Sequence, residues 1–294
     1  MRWLVLNPPS STAFLLPDGA GPGRDVLVDM QGARPTLAET LSARGRSTET
    51  LAHLFLTHHH GDHFVPAEAL ALARAGTRIH AGRATWEEFR ALAARTPQLA
   101  DAREACGELE ASGALDLLPA RGEAAFESCR AAWSTFPHGD GDASHVNLAF
   151  RFGETLISGD TNVPAFLDPR NPDAAALLGL ERGEPVRALM LNVAQLSRAE
   201  LRARQDLPPR RLRNYLRNHG ILDDLLAALE DERLAGFFSG LRLLVPHHLR
   251  REPLDETADR MRQALREAAR RRGFEFEIRF GAAGLDAAER TGGA

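Results

Sequence analysis

The chain has 294 residues, of which 44% are hydrophobic and 26% charged, and its formal net charge is −4. This is the composition of an ordinary globular protein, which excludes disordered and collagen-like chains, and its two cysteines exclude a disulfide framework. The apolar run near the N-terminus is too short for a signal-peptide core and no run approaches membrane-spanning length, so we expect a cytoplasmic protein without membrane contact.

Short strands and helices alternate along the first half of the chain. Strand-like runs separated by Pro- and Gly-rich turns are predicted at Arg2–Asn7, Thr12–Pro17, Asp25–Asp29 and Leu51–Thr57. Helices are predicted at Thr36–Arg44, at Pro66–Ala75, and over Thr85–Leu109 with a break near Pro97. The strand at Leu51–Thr57 ends where a run of histidines begins.

The second half continues the alternation. Strands are predicted at Cys129–Pro137, Val146–Phe152, Glu154–Ser158, Arg187–Val193, Leu241–Val245 and Phe274–Phe280. Helical patterns cover most of Ala199–Asp231 and Pro253–Arg272. The organisation suits two β-sheets packed together with helices outside. We expect one domain over residues 1–280 and a flexible tail over residues 281–294.

The histidine run has the form His58-x-His60-x-Asp62-His63. Imidazole nitrogen and carboxylate oxygen are the ligands that suit zinc and neighbouring first-row metals. On a loop that leaves a strand, His58 and His60 can bind one ion while Asp62 and His63 project to a second. A purification tag would be terminal and would lack the embedded aspartate. The motif therefore indicates a two-ion metal site.

A strand, a threonine and then H-x-H-x-D-H resembles the signature of the metallo-β-lactamase superfamily. The resemblance implies an α/β fold, specifically a four-layer αββα sandwich. The strand ending at Asp29 resembles the family's strand that places an aspartate beneath the metal loop. Three further ligands are implied in a set order, and the positions that fit are His138, Asp160 and His247.

The resemblance also implies how the ligands are shared. One ion is expected on His58, His60 and His138, the other on Asp62, His63 and His247, with Asp160 between them. Zinc is the expected metal, and Mn²⁺ and Fe²⁺ are alternatives. His145 competes with His138 for the third-histidine role, and His248 competes with His247. We favour His138 because it directly ends its strand, and His247 because comparable strands of the family place the ligand first after the apolar run.

Two divalent ions imply hydrolysis by a metal-bound hydroxide, because each ion lowers the pKa of bound water towards about 7. No Gly-x-Ser-x-Gly elbow is present to supply a serine nucleophile. Asp62 is expected to take part in catalysis as a ligand. β-Lactamase activity is not expected, since those enzymes generally lack the bridging aspartate that Asp160 supplies.

An arginine-rich stretch, residues 198–217, runs into His219, which lies 28 residues before His247. This order resembles transfer-RNA-processing ribonuclease Z and related phosphodiesterases, where a histidine helps to protonate the leaving group. His219 is therefore the second candidate catalytic residue, and a helix cap is its alternative role. Arg213, Arg217, His145 and His248 are candidate substrate-binding residues.

Three departures separate this chain from true ribonuclease Z. The usual Ser-Thr after the histidine is Gly220-Ile221 here, and the acidic residue on the preceding strand is Asn192. The Gly- and Pro-rich arm that holds transfer RNA is not evident between His63 and His138. These departures argue against processing of transfer RNA.

Three function classes remain open from the sequence. The leading hypothesis is a dinuclear phosphodiesterase or nuclease whose substrate is a small phosphodiester or a nucleic acid, and a homodimer is compatible with it. The second is a carbon-centre hydrolase, such as a lactonase or thioesterase, which would use the same seven ligands without His219. The third is a non-hydrolytic protein with a redox di-iron site or a scaffold role.

Overall fold

The computed structural model describes residues 3–6, 13–30, 35–138, 145–181, 183–193, 197–203, 208–209, 212, 221–247 and 254–280. Within these ranges the chain forms two compact units, one up to Arg130 and the other from Ala131 to Phe280. The single domain expected over residues 1–280 stays a prediction, and the expected tail lies outside the described residues. Of the described helices, none is long and apolar enough to cross a membrane.

The first unit contains a six-stranded mixed sheet with the order β1-β2-β3-β4-β5-β6. Its strands are β1 (Leu4–Leu6), β2 (Ala13–Leu16), β3 (Asp25–Val28), β4 (Leu51–Leu56), β5 (Arg78–Gly82) and β6 (Leu115–Leu118). Pairing is antiparallel from β1 to β3 and parallel from β3 to β6. The helices are α1 (Leu37–Ser42), α2 (Pro66–Arg74), α3 (Arg83–Arg95) and α4 (Ala100–Ala111).

Strand β4 is buried along its whole length and therefore has two buried faces. Leu54 and Leu56 belong to a hydrophobic core that also contains Phe89 of α3 and Leu109 of α4. Because side chains alternate along a strand, the residues between these leucines face the other side of the sheet. Parallel β3 and β4 end at the same edge, which places the residues that follow them together.

The second sheet has seven strands in the order β13-β12-β11-β10-β9-β8-β7. They are β7 (Arg121–Phe126), β8 (Cys129–Pro137), β9 (Val146–Phe152), β10 (Thr155–Ile157), β11 (Ala188–Asn192), β12 (Leu243–His247) and β13 (Glu277–Ile278). Strands β8, β9 and β10 pair antiparallel, whereas β10, β11, β12 and β13 pair parallel.

The described helices of the second unit are α5 (Val163–Phe166), α6 (Pro172–Leu177), α7 (Arg198–Ala203), α8 (Leu222–Glu230), α9 (Ala235–Gly240) and α10 (Leu254–Arg271). Leu189 and Leu191 of β11 and Leu244 of β12 share a core with α8 and α10. Alternation along these strands turns Asn192 and His247 to the opposite face. The carboxyl ends of β11 and β12 thus carry polar side chains away from the helices.

Most elements predicted from the sequence are confirmed, including the two helices broken near Pro97. The pattern missed β5, β6 and β7 and the short helices α5, α6 and α9. Strand β7 alternates exposed and half-buried positions, so it carries little hydrophobic signal. Of the helical span predicted over Ala199–Asp231, the described parts are helical at α7 and α8.

A pair of buried histidines lies on β4 and β5 of the first unit. His53 Nδ1 and His80 Nε2 are 2.9 Å apart, and His80 Nδ1 lies 3.2 Å from a carboxylate oxygen of Asp116. The His80 ring stacks on Phe55 with 4.4 Å between centroids. Burial lowers the pKa of His80 to about 3 and also lowers the pKa of His53. Both imidazoles are therefore neutral at pH 7.

We expect this pair to make the protein less stable as the pH falls from 7 to 5. An unfolded histidine titrates near 6.5 whereas folded His80 stays neutral to about 3, so the unfolded state binds the extra proton in this window. Urea denaturation of metal-free protein at both pH values measures the loss of unfolding free energy. His80→Gln removes this titration and should show a smaller loss. An equal loss in both proteins would contradict the expectation.

Candidate metal centre

The carboxylate of Asp29, directly after β3, organises the histidine loop of the first unit. Asp29 is buried and accepts hydrogen bonds from the Thr57 backbone N–H at 2.7 Å, the Thr57 hydroxyl at 2.7 Å and His63 Nδ1 at 2.8 Å. An acceptor-only carboxylate requires His63 Nδ1 to carry the proton. The remaining nitrogen, Nε2, is then the one that can bind a metal ion.

The backbone of Asp29 is held in an uncommon conformation. Its φ is +58°, in the left-handed region that aspartate tolerates better than most residues. The Asp29 N–H donates to Phe55 O at 2.8 Å, and the next residue, Met30, donates to His63 O at 2.8 Å. These backbone bonds fasten the residues after β3 to both β4 and the histidine loop.

The loop itself brings three imidazoles together. Ring centroids lie 4.7 Å apart for His58 and His60, and 4.1 Å apart for His58 and His63. A turn closes the loop, because the N–H groups of His63 and Phe64 both donate to His60 O at 2.8 Å. His58 and His63 are buried, whereas His60 and Asp62 are partly exposed. The four predicted ligands of this unit thus occupy one short loop.

His59, the one histidine of the run without a predicted role, is also buried. Its Nδ1 lies 3.8 Å from a carboxylate oxygen of Glu88 on α3, and its ring lies 5.7 Å from that of Phe89. His59 therefore turns towards α3 and links the loop to the helix. The sequence spacing gives no signal for this contact.

In the second unit, His138 and Asp160 lie side by side. His138 Nε2 is 3.8 Å from a carboxylate oxygen of Asp160, and both side chains are buried. The backbone N–H of His138 donates to His145 O at 2.8 Å, while the side chain of His145 is exposed. The side chain that lies beside Asp160 is thus that of His138, and its role as a ligand stays a prediction.

The turn that carries Asp160 is held by the buried side chain of Asn147. Its Nδ2 donates to Ser158 O at 2.7 Å and to Thr161 Oγ1 at 2.6 Å, and its Oδ1 accepts from the Asp160 N–H at 3.1 Å. Gly159 has a φ of +59°, a conformation that glycine adopts without steric cost. Asn147 was not found from the sequence, although it fixes the backbone on both sides of Asp160.

His247 ends β12 and is buried. It is the register partner of Asn192 on β11, and its carbonyl accepts from the Val193 N–H at 3.1 Å. Since β10, β11 and β12 are parallel, His247 and Asp160 come from the same edge of this sheet. His248, the alternative ligand, lies outside the described residues.

The arginine-rich stretch is described only in part. His219, Arg213 and Arg217 lie outside the described residues. Arg198 donates to both carboxylate oxygens of Asp224 at 2.7 and 2.9 Å. This guanidinium is therefore engaged in an ion pair within the protein.

The donor chemistry of the seven predicted ligands fits divalent metal ions. Five are imidazoles and two are carboxylates, a mixture typical of zinc, manganese and iron sites. Five of the seven are buried, namely His58, His63, His138, Asp160 and His247. Buried imidazoles and carboxylates are typical ligands of divalent metal ions in proteins.

Comparison with known proteins identifies the family. The model of the metallo-beta-lactamase superfamily matches residues 10–216. The chain belongs to the metallo-β-lactamase superfamily. The predicted fold class is thereby confirmed, and the superfamily implies divalent-metal binding and supports a metal-dependent hydrolase. No curated protein matches the chain.

Solved structures share the superfamily fold over most of the chain. The metallo-beta-lactamase fold protein YhfI from Bacillus subtilis has a TM-score of 0.57 and 13% identity, covering 95% of each chain. A diphosphatase from the PhnP family has a TM-score of 0.52 and 15% identity, covering 96% of this chain and 84% of its own. A mutant of CmlA beta-hydroxylase has a TM-score of 0.53 and 15% identity, covering 95% of this chain and 52% of its own. At these identities the likeness shows the fold alone.

The hydrogen bond from His63 to Asp29 generates a testable prediction for this member of the superfamily. In Asp29→Asn an amide NH₂ can face His63 Nδ1–H, which removes the acceptor that fixes the tautomer. Loss of such an orienting partner typically lowers metal affinity about 10- to 100-fold. Competition with a chromophoric chelator would measure the zinc affinity of the variant.

Asp25→Asn is the matched control, since Asp25 is a buried carboxylate at the other end of β3. It accepts hydrogen bonds from Thr50 Oγ1 at 2.8 Å and Asp18 N–H at 2.9 Å, away from the histidine loop. This variant should lose stability and keep its zinc affinity. Equal zinc affinities in Asp29→Asn and wild type would show that Asp29 does not orient a ligand.

Proposed function

We propose that this superfamily member is a dinuclear metal-dependent hydrolase that cleaves phosphodiesters. The observation that carries the proposal is the buried pair of His138 and Asp160, 3.8 Å apart, in a chain that also presents His58, His60 and His63 on one loop. The assignment keeps one ion on His58, His60 and His138 and the other on Asp62, His63 and His247. Asp160 would be a ligand of both ions.

Different side chains have separate roles in the proposed hydrolysis. When bound, two divalent ions make water a nucleophile near neutral pH and offset the negative charge that develops on a phosphoryl group. Asp29 holds His63 with Nε2 available, and Asn147 holds the backbone of Asp160. His219 is proposed to hold a proton for the leaving oxygen. These hydrogen bonds keep His63 and Asp160 oriented before substrate binds.

A small phosphodiester is favoured over a nucleic acid. The net charge is −4, whereas proteins that bind nucleic acids rely on basic surface to neutralise phosphates. Arg198, the first arginine of the basic stretch, is paired with Asp224. The fold is shared with a diphosphatase of the PhnP family, which agrees with phosphorus-centred chemistry.

Metal loading tests the ligand assignment. Purified protein should bind about two zinc-like ions per chain, and Asp62→Ala or His63→Ala should mainly empty one site. Activity should fall by orders of magnitude, because the metal supplies both nucleophile and charge neutralisation. Metal content by mass spectrometry and hydrolysis of bis-p-nitrophenyl phosphate are the measurements.

Two further variants serve as a matched pair in that experiment. His138→Ala should lose metal, because this buried imidazole lies beside Asp160. His145→Ala should keep two ions, because its side chain is exposed. Full activity of metal-free wild type would contradict the proposal, and metal loss in His145→Ala alone would exchange the two assignments.

The role of His219 predicts a dependence on the leaving group. A positioned imidazole typically contributes about 10²- to 10⁴-fold by protonating a departing alkoxide. His219→Ala should lower turnover of an alkyl phosphodiester by about that factor while both ions stay bound. The loss should be smaller for bis-p-nitrophenyl phosphate, because p-nitrophenolate departs readily without a proton.

The same assays separate the phosphodiesterase from its alternatives. A lactonase or thioesterase would hydrolyse carbon esters in preference to phosphodiesters and would barely respond to His219→Ala. If His219→Ala cleaves the alkyl phosphodiester at the wild-type rate, His219 is a helix cap and not a proton donor. Activity on lactone or thioester substrates alone would replace the proposed function.

A further inference from the structure

Two buried asparagines in the second unit have opposite hydrogen-bonding states. Asn147 uses both its donor and its acceptor on Ser158, Thr161 and Asp160, and its side chain is fully buried. It is a structural residue whose partners are all supplied by the fold. Buried side-chain amides are expected to be satisfied in this way.

Asn192 is equally buried, with an exposed fraction of 0%. Among the residues that the structure describes, neither its Oδ1 nor its Nδ2 has a hydrogen-bond partner. Its backbone is fixed, since the Asn192 N–H donates to Ser158 Oγ at 3.0 Å. An amide that is buried without partners is unfavourable for folding, so its retention points to a ligand that it meets after folding.

The position of Asn192 suggests where that ligand binds. Asn192 is the last residue of β11, between the strands that lead to Asp160 and end in His247. It is in register with His247, so the two side chains project from the same face of the sheet. Leu189 and Leu191 project from the opposite face into the helical core. The amide therefore lies at the strand edge that leads to Asp160 and on the same face of the sheet as His247.

We propose that Asn192 is a substrate-binding residue whose Nδ2 donates a hydrogen bond to a phosphoryl oxygen of an anionic phosphodiester. This inference rests on the proposed function, because it places the phosphoryl group beside Asp160 and His247. A neutral amide suits an anionic ligand at this position, since it provides a donor without adding charge.

Asn192→Leu tests the inference, because leucine has the same branched skeleton of side-chain heavy atoms as asparagine and no polar atoms. Removing a buried amide without partners should leave the urea midpoint of metal-free protein equal to or higher than that of wild type. The zinc-loaded variant should bind inorganic phosphate roughly 10-fold or more weakly in calorimetric titration, as expected for a lost hydrogen bond to a charged group. KM for bis-p-nitrophenyl phosphate should rise by a similar factor.

Two comparison variants give the experiment its contrast. Asn147→Leu should lower the urea midpoint clearly, because it leaves Ser158 O and the Asp160 N–H without their partner. Asn192→Asp, which replaces the donor with a charge, should weaken phosphate binding at least as much as Asn192→Leu does. Metal content is measured in every variant, so that a change in phosphate affinity is compared at equal zinc loading.

The outcomes separate this inference from the proposed function. If Asn192→Leu is destabilised as strongly as Asn147→Leu and binds phosphate like wild type, Asn192 is structural and the inference is overturned. If wild type cleaves no phosphodiester but phosphate binding still weakens in a stable Asn192→Leu, the inference stands as an anion-binding role while the proposed function fails. If wild type is active and KM and phosphate affinity are unchanged in Asn192→Leu, only the inference fails.

Discussion

The buried carboxylate of Asp29 is the constraint on which the histidine loop depends. The Asp29 side chain connects the ends of parallel β3 and β4 by accepting two hydrogen bonds from Thr57. It fixes the orientation of His63 by accepting a third. Hydrogen bonds to an ionised group are stronger than those between neutral groups, and burial strengthens them further. The loop that follows β4 is therefore held before any ion binds, which reduces the cost of ordering its imidazoles at that moment.

In the second unit, neutral side chains hold the site residues in place. Asn147 holds the turn around Asp160 and the Ser158 hydroxyl holds the end of β11, so the donor residues project from a fixed strand edge. Buried side-chain amides normally find hydrogen-bond partners in the fold, so an exception among them is informative. Asn192 is that exception among the asparagines described, and it occurs at the edge where chemistry is proposed.

The sequence predicts the ligands better than it predicts what orients them. His58, His60, Asp62 and His63 are found because six contiguous positions carry a ligand pattern that chance rarely produces. Asp29 is found only through the family resemblance, and Asn147 and Asn192 are not assigned these roles, because a lone amide has no periodicity or spacing. Strands β5 to β7 are missed for a related reason: they are short or alternate weakly, and pairing with neighbouring strands stabilises them more than local propensity does.

The central claim is that the seven predicted ligands bind a pair of divalent ions. Anomalous diffraction from crystals grown with zinc tests it most directly, because it locates the ions without assuming any ligand. The account predicts two peaks roughly 4 Å apart, one on His58, His60 and His138, the other on Asp62, His63 and His247, with Asp160 bridging them. A single peak, or two peaks that lie away from these seven residues, would contradict it.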